Sequence, residues 1–259
     1  MEKIAQIYTV GRGVIQRLIK KYNIKTRSVS DRHRKFNIDE NYFDVIDTEE
    51  KAYFLGFLYA DGHNNIKKHT VNLRIMDEEI IRKLNNLISN DNIIWQYKVG
   101  KNICYTLSIC SKHMSEILSK YGCGKNKTFN CFFPENIISD NLLNHFMRGY
   151  FDGDGSIYNY IIKRNNNKIS HAVGFSVIGA YNLINKYLDI LVNNCNISKA
   201  KLQYKNKNDK RVCSFLYSGR NQIITIYKYL YKDANIFMQR KYEKFQYIIN
   251  KKDLELSII

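Results

Sequence analysis

Polar and apolar positions along this chain form a succession of elements that is written twice. Tyr53, Phe54, Phe57 and Leu58 make a helical run ending in Ala60-Asp61-Gly62, and Leu142, Leu143, Phe146 and Tyr150 make another ending in Gly153-Asp154-Gly155. After the first run, Val71 to Ile75 alternates as a half-buried strand does, and Glu79 to Ile88 repeats with a helical period. Ile93 to Val99 and Ile103 to Ile109 are strand-like again, and Met114 to Tyr121 is helical. After the second run the same order returns in Val173 to Val177, Tyr181 to Val192, Lys201 to Lys205, Val212 to Tyr217 and Gln222 to Tyr231. Each half reads helix, two strands, helix, two strands, helix, which predicts two similar α+β units at 47–135 and 136–259. Neither is large enough to bury a wholly apolar helix alone, so the two leading helices are expected to pair.

Laid over each other, Gly56 matches Gly149, Ala60 matches Gly153, Asp61 matches Asp154 and Gly62 matches Gly155. The small residues stand four apart, on one helical face. A glycine inside a helix costs roughly 1 kcal/mol against alanine, and small residues let two backbones approach closely. Gly56, Ala60, Gly149 and Gly153 are therefore predicted to form the helix interface. Asp47 with Glu50 is expected to cap the first helix and Ser139 the second.

The charge narrows the partner. Lys and Arg total 41 against 24 acids, a formal +17 with a pI near 9.5. A field of that sign attracts polyanions, and nucleic acid is the commonest of them, because neutralised phosphates release counterions. Hydrophobic residues make up 44% of the chain, enough for a packed core. No long uncharged apolar run predicts a transmembrane helix, and Met1 to Val10 lacks the apolar core of an export signal, so an intracellular protein is expected. The six cysteines form no C-x-x-C pair and no zinc-finger spacing, and reduced thiols are expected.

Asp61 and Asp154 close their helices at the negative pole of the macrodipole. If the helices pack side by side, the two carboxylates also repel each other. A divalent cation between them offsets both penalties, the arrangement of a metal-dependent phosphodiesterase. Asp-Gly by itself is a common turn after a helix, but the doubled spacing and doubled flanks favour the chemical reading. A calcium loop starting at Asp152 is excluded, since Ile157 stands where its turn glycine belongs and Lys163 where its bidentate acid belongs.

In Phe54 to Gly62 and Met147 to Gly155 the chain resembles the LAGLIDADG homing endonucleases in their single-chain, double-motif form. The resemblance spans roughly Asp47 to Ile249. It implies an α+β fold of two pseudo-symmetric αββαββα halves, each with a curved antiparallel sheet straddling DNA. It further implies a site-specific double-strand endonuclease that hydrolyses one phosphodiester per strand at a long asymmetric site. Mg²⁺, with Mn²⁺ as a substitute, would be held by Asp61 and Asp154 with the carbonyls of Ala60 and Gly153. A lysine near the end of each half, Lys127 and Lys241, would stand by the scissile phosphates, with Arg240 as a neighbouring candidate. Asp77 would position water in the first half; Gly179, at the matching place, has no side chain to do so. Asn64, Lys68, Arg74, Lys98, Tyr158, Lys163, Lys168, Lys205 and Arg211, in or near the strands, are the expected groove contacts.

Residues 1–46 lie outside the repeat. Ile4 to Ile7, a turn, and Val14 to Tyr22 read as helix-turn-helix, and Glu2 and Asp31 are the only acids before Phe36. Such an extension occurs on some double-motif relatives; Arg12, Arg17, Lys20 and Lys21 would meet DNA. The expected partner is double-stranded DNA and a monomer suffices. Two alternatives stay open on the same fold: a maturase bound to intron RNA, and a DNA-binding regulator that does not cut. The ends Met1 and Ser257-Ile-Ile259 carry no self-splicing residues, so a free-standing enzyme is expected over an intein-embedded one.

Overall fold

The two leading helices are apolar nearly all round, and that dictates where they lie. In the computed structural model, which describes residues 2–24, 26, 36–89, 91, 94–124, 131–163, 169–206 and 208–256, every residue from Ala52 to Tyr59 is buried. The chain divides into two units, Met1–Asn37 and Ile38–Ile259. In the first, α1 (Glu2–Ile7) and α2 (Arg12–Lys21) bury Ala5 and Ile15, and Arg12 pairs with Glu2 on the surface. The second unit starts earlier than the sequence reading placed it. Ile38, Tyr42, Phe43 and Ile46, outside the repeat in the sequence, are buried core residues.

Within this unit α3 spans Glu49–Asp61. Its cap is Thr48, whose Oγ1 accepts from the Lys51 N–H at 3.3 Å, while the expected cap Asp47 pairs with the Lys51 ammonium at 2.7 Å. The cap thus lies one residue further on, and Glu49 and Glu50 follow it at the positive pole. Four antiparallel strands come next in space as β1-β2-β4-β3, with β1 at Gly62–Asn65, β2 at Thr70–Ile75, β3 at Ile94–Val99 and β4 at Asn102–Cys110. Between them comes α4 (Glu78–Ile88), which buries Ile80, Ile81, Leu84 and Ile88, and after them α5 (Lys112–Lys120), capped by Ser111.

The second half repeats the plan. A 3-10 turn at Asp140–Leu142 leads into α6 (Leu143–Asp154), so the expected cap Ser139 sits a turn too early and makes no capping bond. Strands β5 (Gly155–Lys163), β6 (Ile169–Ala180), β7 (Gln203–Asn206) and β8 (Asp209–Tyr217) form a sheet in the order β5-β6-β8-β7. Helices α7 (Tyr181–Cys195) and α8 (Arg220–Leu230) match α4 and α5. The α+β expectation of two αββαββα halves is the fold observed. One element is additional: α9 (Gln239–Leu256), which buries Lys241, Phe245 and Ile248 along one stripe.

Strand register sorts side chains between the two faces of each sheet. Val71, Leu73 and Ile75 face the buried side, with Leu107 and Ile109 of β4, so Asn72 and Arg74 with their partners Ser108 and Thr106 face out, beside Trp95 and Tyr97. In the second sheet Ile157, Phe175, Val177, Phe215 and Tyr217 face in, while Ser156, Tyr158, Ser176, Ile178, Ser214 and Leu216 face out.

Candidate active site

At Gly56 and Gly149 the helix pair is closer than an alanine would allow. A Cβ built at Gly149 would stand 1.9 Å from the Tyr53 carbonyl oxygen, and one at Gly56 would stand 2.0 Å from the Phe146 carbonyl oxygen. A Cβ at Gly153 would meet the Ala60 Cβ at 2.2 Å. The contacts advance together along both helices, from Tyr53 against Gly149 to Ala60 against Gly153, so α3 and α6 run parallel and end side by side. Gly56, Ala60, Gly149 and Gly153 thus stand on the facing sides of the two helices. Asp61 and Asp154 are the last residues of the two helices, and the Gly153 Cβ position lies 3.2 Å from Asp61 Oδ2. Two helix C-termini and two carboxylates thus share one end. Both acids also face the Lys241 ammonium closely enough to favour its charge.

A hard divalent cation fits this donor set. Two carboxylates and main-chain carbonyls are the oxygen ligands that Mg²⁺ takes, keeping its other positions for water and phosphate. Among the described residues no group of three or more His, Cys, Asp or Glu gathers, and Asp61 and Asp154 are the two carboxylates that close this helix pair.

Lys241 is 4% exposed, and its Nζ donates to the carbonyls of Phe151 at 2.6 Å, Asp152 at 2.8 Å and Gly155 at 2.7 Å. Burial pushes its pKa down to about 8, against the pull of Asp152, Asp61 and Asp154. The lysine, expected from the sequence by a scissile phosphate, thus has its ammonium engaged by the main chain at the end of α6. The Asp77 carboxylate, expected to position water, accepts from Arg240 Nε at 3.0 Å, an ion pair that joins the start of α4 to α9. Gly179 has a steric reason: a Cβ there would stand 2.1 Å from the Tyr150 hydroxyl, which donates to the Ile178 carbonyl at 3.0 Å. Lys127 lies outside the described residues.

The groove candidates divide by face. Arg74 and Tyr158 lie on the outward faces, and the Arg74 guanidinium stacks over the Tyr97 ring at 5.2 Å. Lys68 is exposed in the turn between β1 and β2. Asn64 is withdrawn: it is buried, and its amide donates to the Ser115 and Cys123 carbonyls at 2.8 and 2.9 Å. Lys98 and Arg211 are exposed but stand at inward register positions, opposite Ile103 and in step with Cys213, where the sheets run past their helices. Arg211 is also paired with Asp209. Lys163 and Lys205 are placed by their main chain alone, in β5 and β7, and Lys168 lies outside the described residues. In the separate N-terminal unit, Arg12, Arg17, Lys20 and Lys21 all belong to α2.

No family model matches the chain. Among solved structures it is similar to I-SmaMI bound to uncleaved DNA in the presence of calcium ions, at TM-score 0.53 and 11% identity over 81% of this chain and 93% of that one. It is similar to the LAGLIDADG homing endonuclease I-LtrWI bound to target DNA, at TM-score 0.53 and 12% identity over 79% and 91%. The LAGLIDADG meganuclease I-AabMI on uncleaved DNA matches at TM-score 0.53 and 12% over 82% and 92%. The fold is that of the LAGLIDADG homing endonucleases. Sequence relatives match over less than half of this chain. The replication factor C small subunit of Methanocaldococcus jannaschii is 27% identical over 44% of this chain, and an A-type ATP synthase subunit from Pyrococcus abyssi is 34% identical over 43%. These stretches cover only 6% and 11% of the two relatives, so the similarity belongs to a segment and carries neither whole protein's activity.

The helix pair α3 and α6 is backed by a buried polar network that sequence reasoning missed. Arg148, fully buried, donates to the Leu230 carbonyl at 2.7 Å, the Ile236 carbonyl at 2.9 Å and Glu49 Oε1 at 2.6 Å. Glu49 also accepts from the Asn235 and Ile236 N–H groups and the Asn235 amide. Burial acts to raise its pKa, but these donors and Arg148 prevail and hold it below the usual carboxylate value. Asp152, also fully buried, accepts from the Tyr53 hydroxyl and the Met238 N–H, both at 2.8 Å; burial lifts its pKa to about 6. Glu49 and Tyr53 come from α3, Arg148 and Asp152 from α6. The segment between α8 and α9 is thereby tied to both. Arg148 and Asp152, charged residues inside an apolar helix, were the signals that pointed here.

Proposed function

We propose that the protein is a DNA endonuclease of the homing type, which uses a divalent cation, Mg²⁺ or Mn²⁺, to hydrolyse one phosphodiester in each strand of a long asymmetric duplex site. The observation that carries this reading is the parallel pair α3 and α6, packed backbone on backbone so that Asp61 and Asp154 converge between two antiparallel sheets. When bound there, the cation supplies Lewis-acid polarisation of the phosphate and a more acidic water. The chain's part is to hold it with Asp61, Asp154 and the carbonyls of Ala60 and Gly153, and to keep the two carboxylates fixed by the glycine contacts. The outward sheet faces would lie along the major groove, with Arg74, braced by Tyr97, and Asn72 suited to purine edges and Tyr158 on the other half. The formal +17 supplies the salt-dependent share of binding. In the N-terminal unit α2 would add phosphate or base contacts through Arg12, Arg17, Lys20 and Lys21, and one chain supplies both halves of the site.

The test is cleavage of a randomised duplex library in Mg²⁺ by the wild type beside Asp61→Asn and Asp154→Asn. Discrete double-strand cuts by the wild type, nicks or no cuts by each variant, and binding retained by all three are expected. Sequence-specific binding without cutting in Mg²⁺ or Mn²⁺ would instead identify a regulator, and binding confined to intron RNA would identify a maturase.

A further inference from the structure

Resting on that endonuclease reading, we propose that Lys241 is a positioning residue. It fixes the corner where α6 passes into β5, and so the presentation of Asp154 and the Gly153 carbonyl to the divalent cation, without touching the phosphate itself.

The geometry leaves it little else to do. Its Nζ meets three carbonyl oxygens, those of Phe151, Asp152 and Gly155, at 2.6 to 2.8 Å. Three acceptors require the full ammonium, since a neutral amine has two hydrogens to give. All three N–H groups are therefore directed at main chain, and the side chain is 4% exposed with its charge 4.8 Å from the centre of the Phe151 ring. The three carbonyls bracket Gly153 and Asp154 in sequence, and the Gly153 carbonyl is not one of them. The last carbonyls of a helix have no partner within it, and here they lie beside two acids. A buried cation at that place neutralises the pole and pins the main chain on both sides of the ligand.

The lysine is delivered by α9. Phe245 and Ile248 follow it along the same helical face, at 0% and 2% exposure, and the Phe245 ring packs on Phe151 with centroids 5.6 Å apart. Met238, just before α9, ties the segment to Asp152. Docking of the C-terminal helix is thus coupled to the metal corner. The neighbouring Arg240, 54% exposed and paired with Asp77, reaches solvent where Lys241 does not.

The experiment compares the wild type with Lys241→Met and Lys241→Gln in the full chain. Calcium binding to the DNA complex is measured by calorimetry, single-turnover cleavage is followed against Mg²⁺ concentration, and hydrogen exchange at 152–158 is recorded in EDTA. Both variants are expected to bind calcium about 10 to 100 times more weakly, as loss of a ligand's supporting partner does. Both should exchange faster at 152–158, and should recover a cleavage rate within about threefold of the wild type once Mg²⁺ is saturating. Unchanged calcium affinity and exchange, with a rate that stays low at every Mg²⁺ concentration, would place Lys241 on the phosphate and overturn the proposal. The glutamine variant keeps a donor on a similar stem, so it reports the same quantities if the methionine variant does not fold. A wild type that neither binds nor cuts DNA would remove the parent reading. The exchange comparison, which needs neither DNA nor cation, would still decide the role at the corner.

Discussion

Gly149→Ala puts the helix contact to a direct test. The added Cβ would lie 1.9 Å from the Tyr53 carbonyl oxygen, 2.8 Å from the Tyr53 carbonyl carbon and 3.1 Å from the Phe57 nitrogen. All three atoms are main chain, so no side chain can swing aside. A tolerable C···O approach is about 3.3 Å, which asks α3 to retreat by roughly 1.4 Å. Overpacking of that kind costs about 1–3 kcal/mol where side chains can yield, and more where they cannot. Against it stands a helix-propensity gain of about 1 kcal/mol. The net expectation is a loss of about 2 kcal/mol or more. Denaturant unfolding measures it, with Gly124→Ala as the control, because the nearest atom to a Cβ there is the Ser119 hydroxyl oxygen at an ordinary 3.5 Å. That control should stay within about 0.5 kcal/mol of the wild type. If Gly149→Ala is as stable as the control, the close parallel packing of α3 and α6 is wrong, and so is the convergence of Asp61 and Asp154 that depends on it.

Three further outcomes follow from the same structure. Arg148→Met should destabilise by about 3 kcal/mol, the low end for a broken buried pair because Glu49 keeps its Asn235 and Ile236 donors; a double-mutant cycle with Glu49→Gln should show coupling, and strict additivity would deny the pair. Deleting residues 1–37 should leave a cooperatively folding protein with weaker DNA affinity. Deleting 1–46 should lose several kcal/mol more, because it removes Phe43, 1% exposed, together with Ile38, Tyr42 and Ile46; equal melting temperatures for the two deletions would refute this. His145 is held neutral: burial first, then the Arg148 charge, lowers its pKa, and its Nδ1 must accept from Arg148 at 2.9 Å because an arginine only donates. Its folded pKa lies below the unfolded 6.5, so the unfolded chain binds the extra proton and stability falls as pH drops below that value. The stability difference between wild type and His145→Gln should shrink over that window, and a difference that does not change with pH would show that His145 does not titrate there.

Much of the architecture was legible because the signals were periodic and doubled. Alternation in Val71 to Ile75 and Val173 to Val177, and the repeated small-residue spacing, gave element type, order and pairing from the chain alone. Element ends were less legible, since Asp47, Thr48 and Ser139 are all plausible caps and local spacing does not choose among them. Helix α9 was missed because, among its described side chains, the buried stripe is Lys241, Phe245 and Ile248, one of them a lysine, in a segment otherwise rich in charge. The site divides in the same way. Asp61 and Asp154 could be read from the motif, but Asn64 and Lys241 could not be assigned by residue type. A polar side chain near a strand or helix end serves main chain or ligand according to where the rest of the fold puts its partners. For Asn64 these are the carbonyls of Ser115 and Cys123, and for Lys241 those of Phe151, Asp152 and Gly155.

The two halves differ at one pair of matched positions, and the difference bears on why α9 docks against the second half. Two residues before the closing acid, the first half has Tyr59 and the second Asp152. Tyr59 is buried against the Phe146 ring, edge to face with centroids 5.2 Å apart, an apolar solution. Asp152 brings a carboxylate to the equivalent depth, and such a group persists only with donors around it. Tyr53 supplies one from α3 and the Met238 N–H supplies the other. Lys241 adds the compensating charge. Two of these three groups come from the segment beyond α8, so the acid in α6 makes sense only if that segment docks. Replacing the network with apolar side chains of similar volume could be neutral for stability. It would also remove the hydrogen bonds that set where Met238 and Lys241 sit along α6. The polar core behind the helix pair is therefore best understood as a device of registration, fixing one end of α6 and with it the position of Asp154.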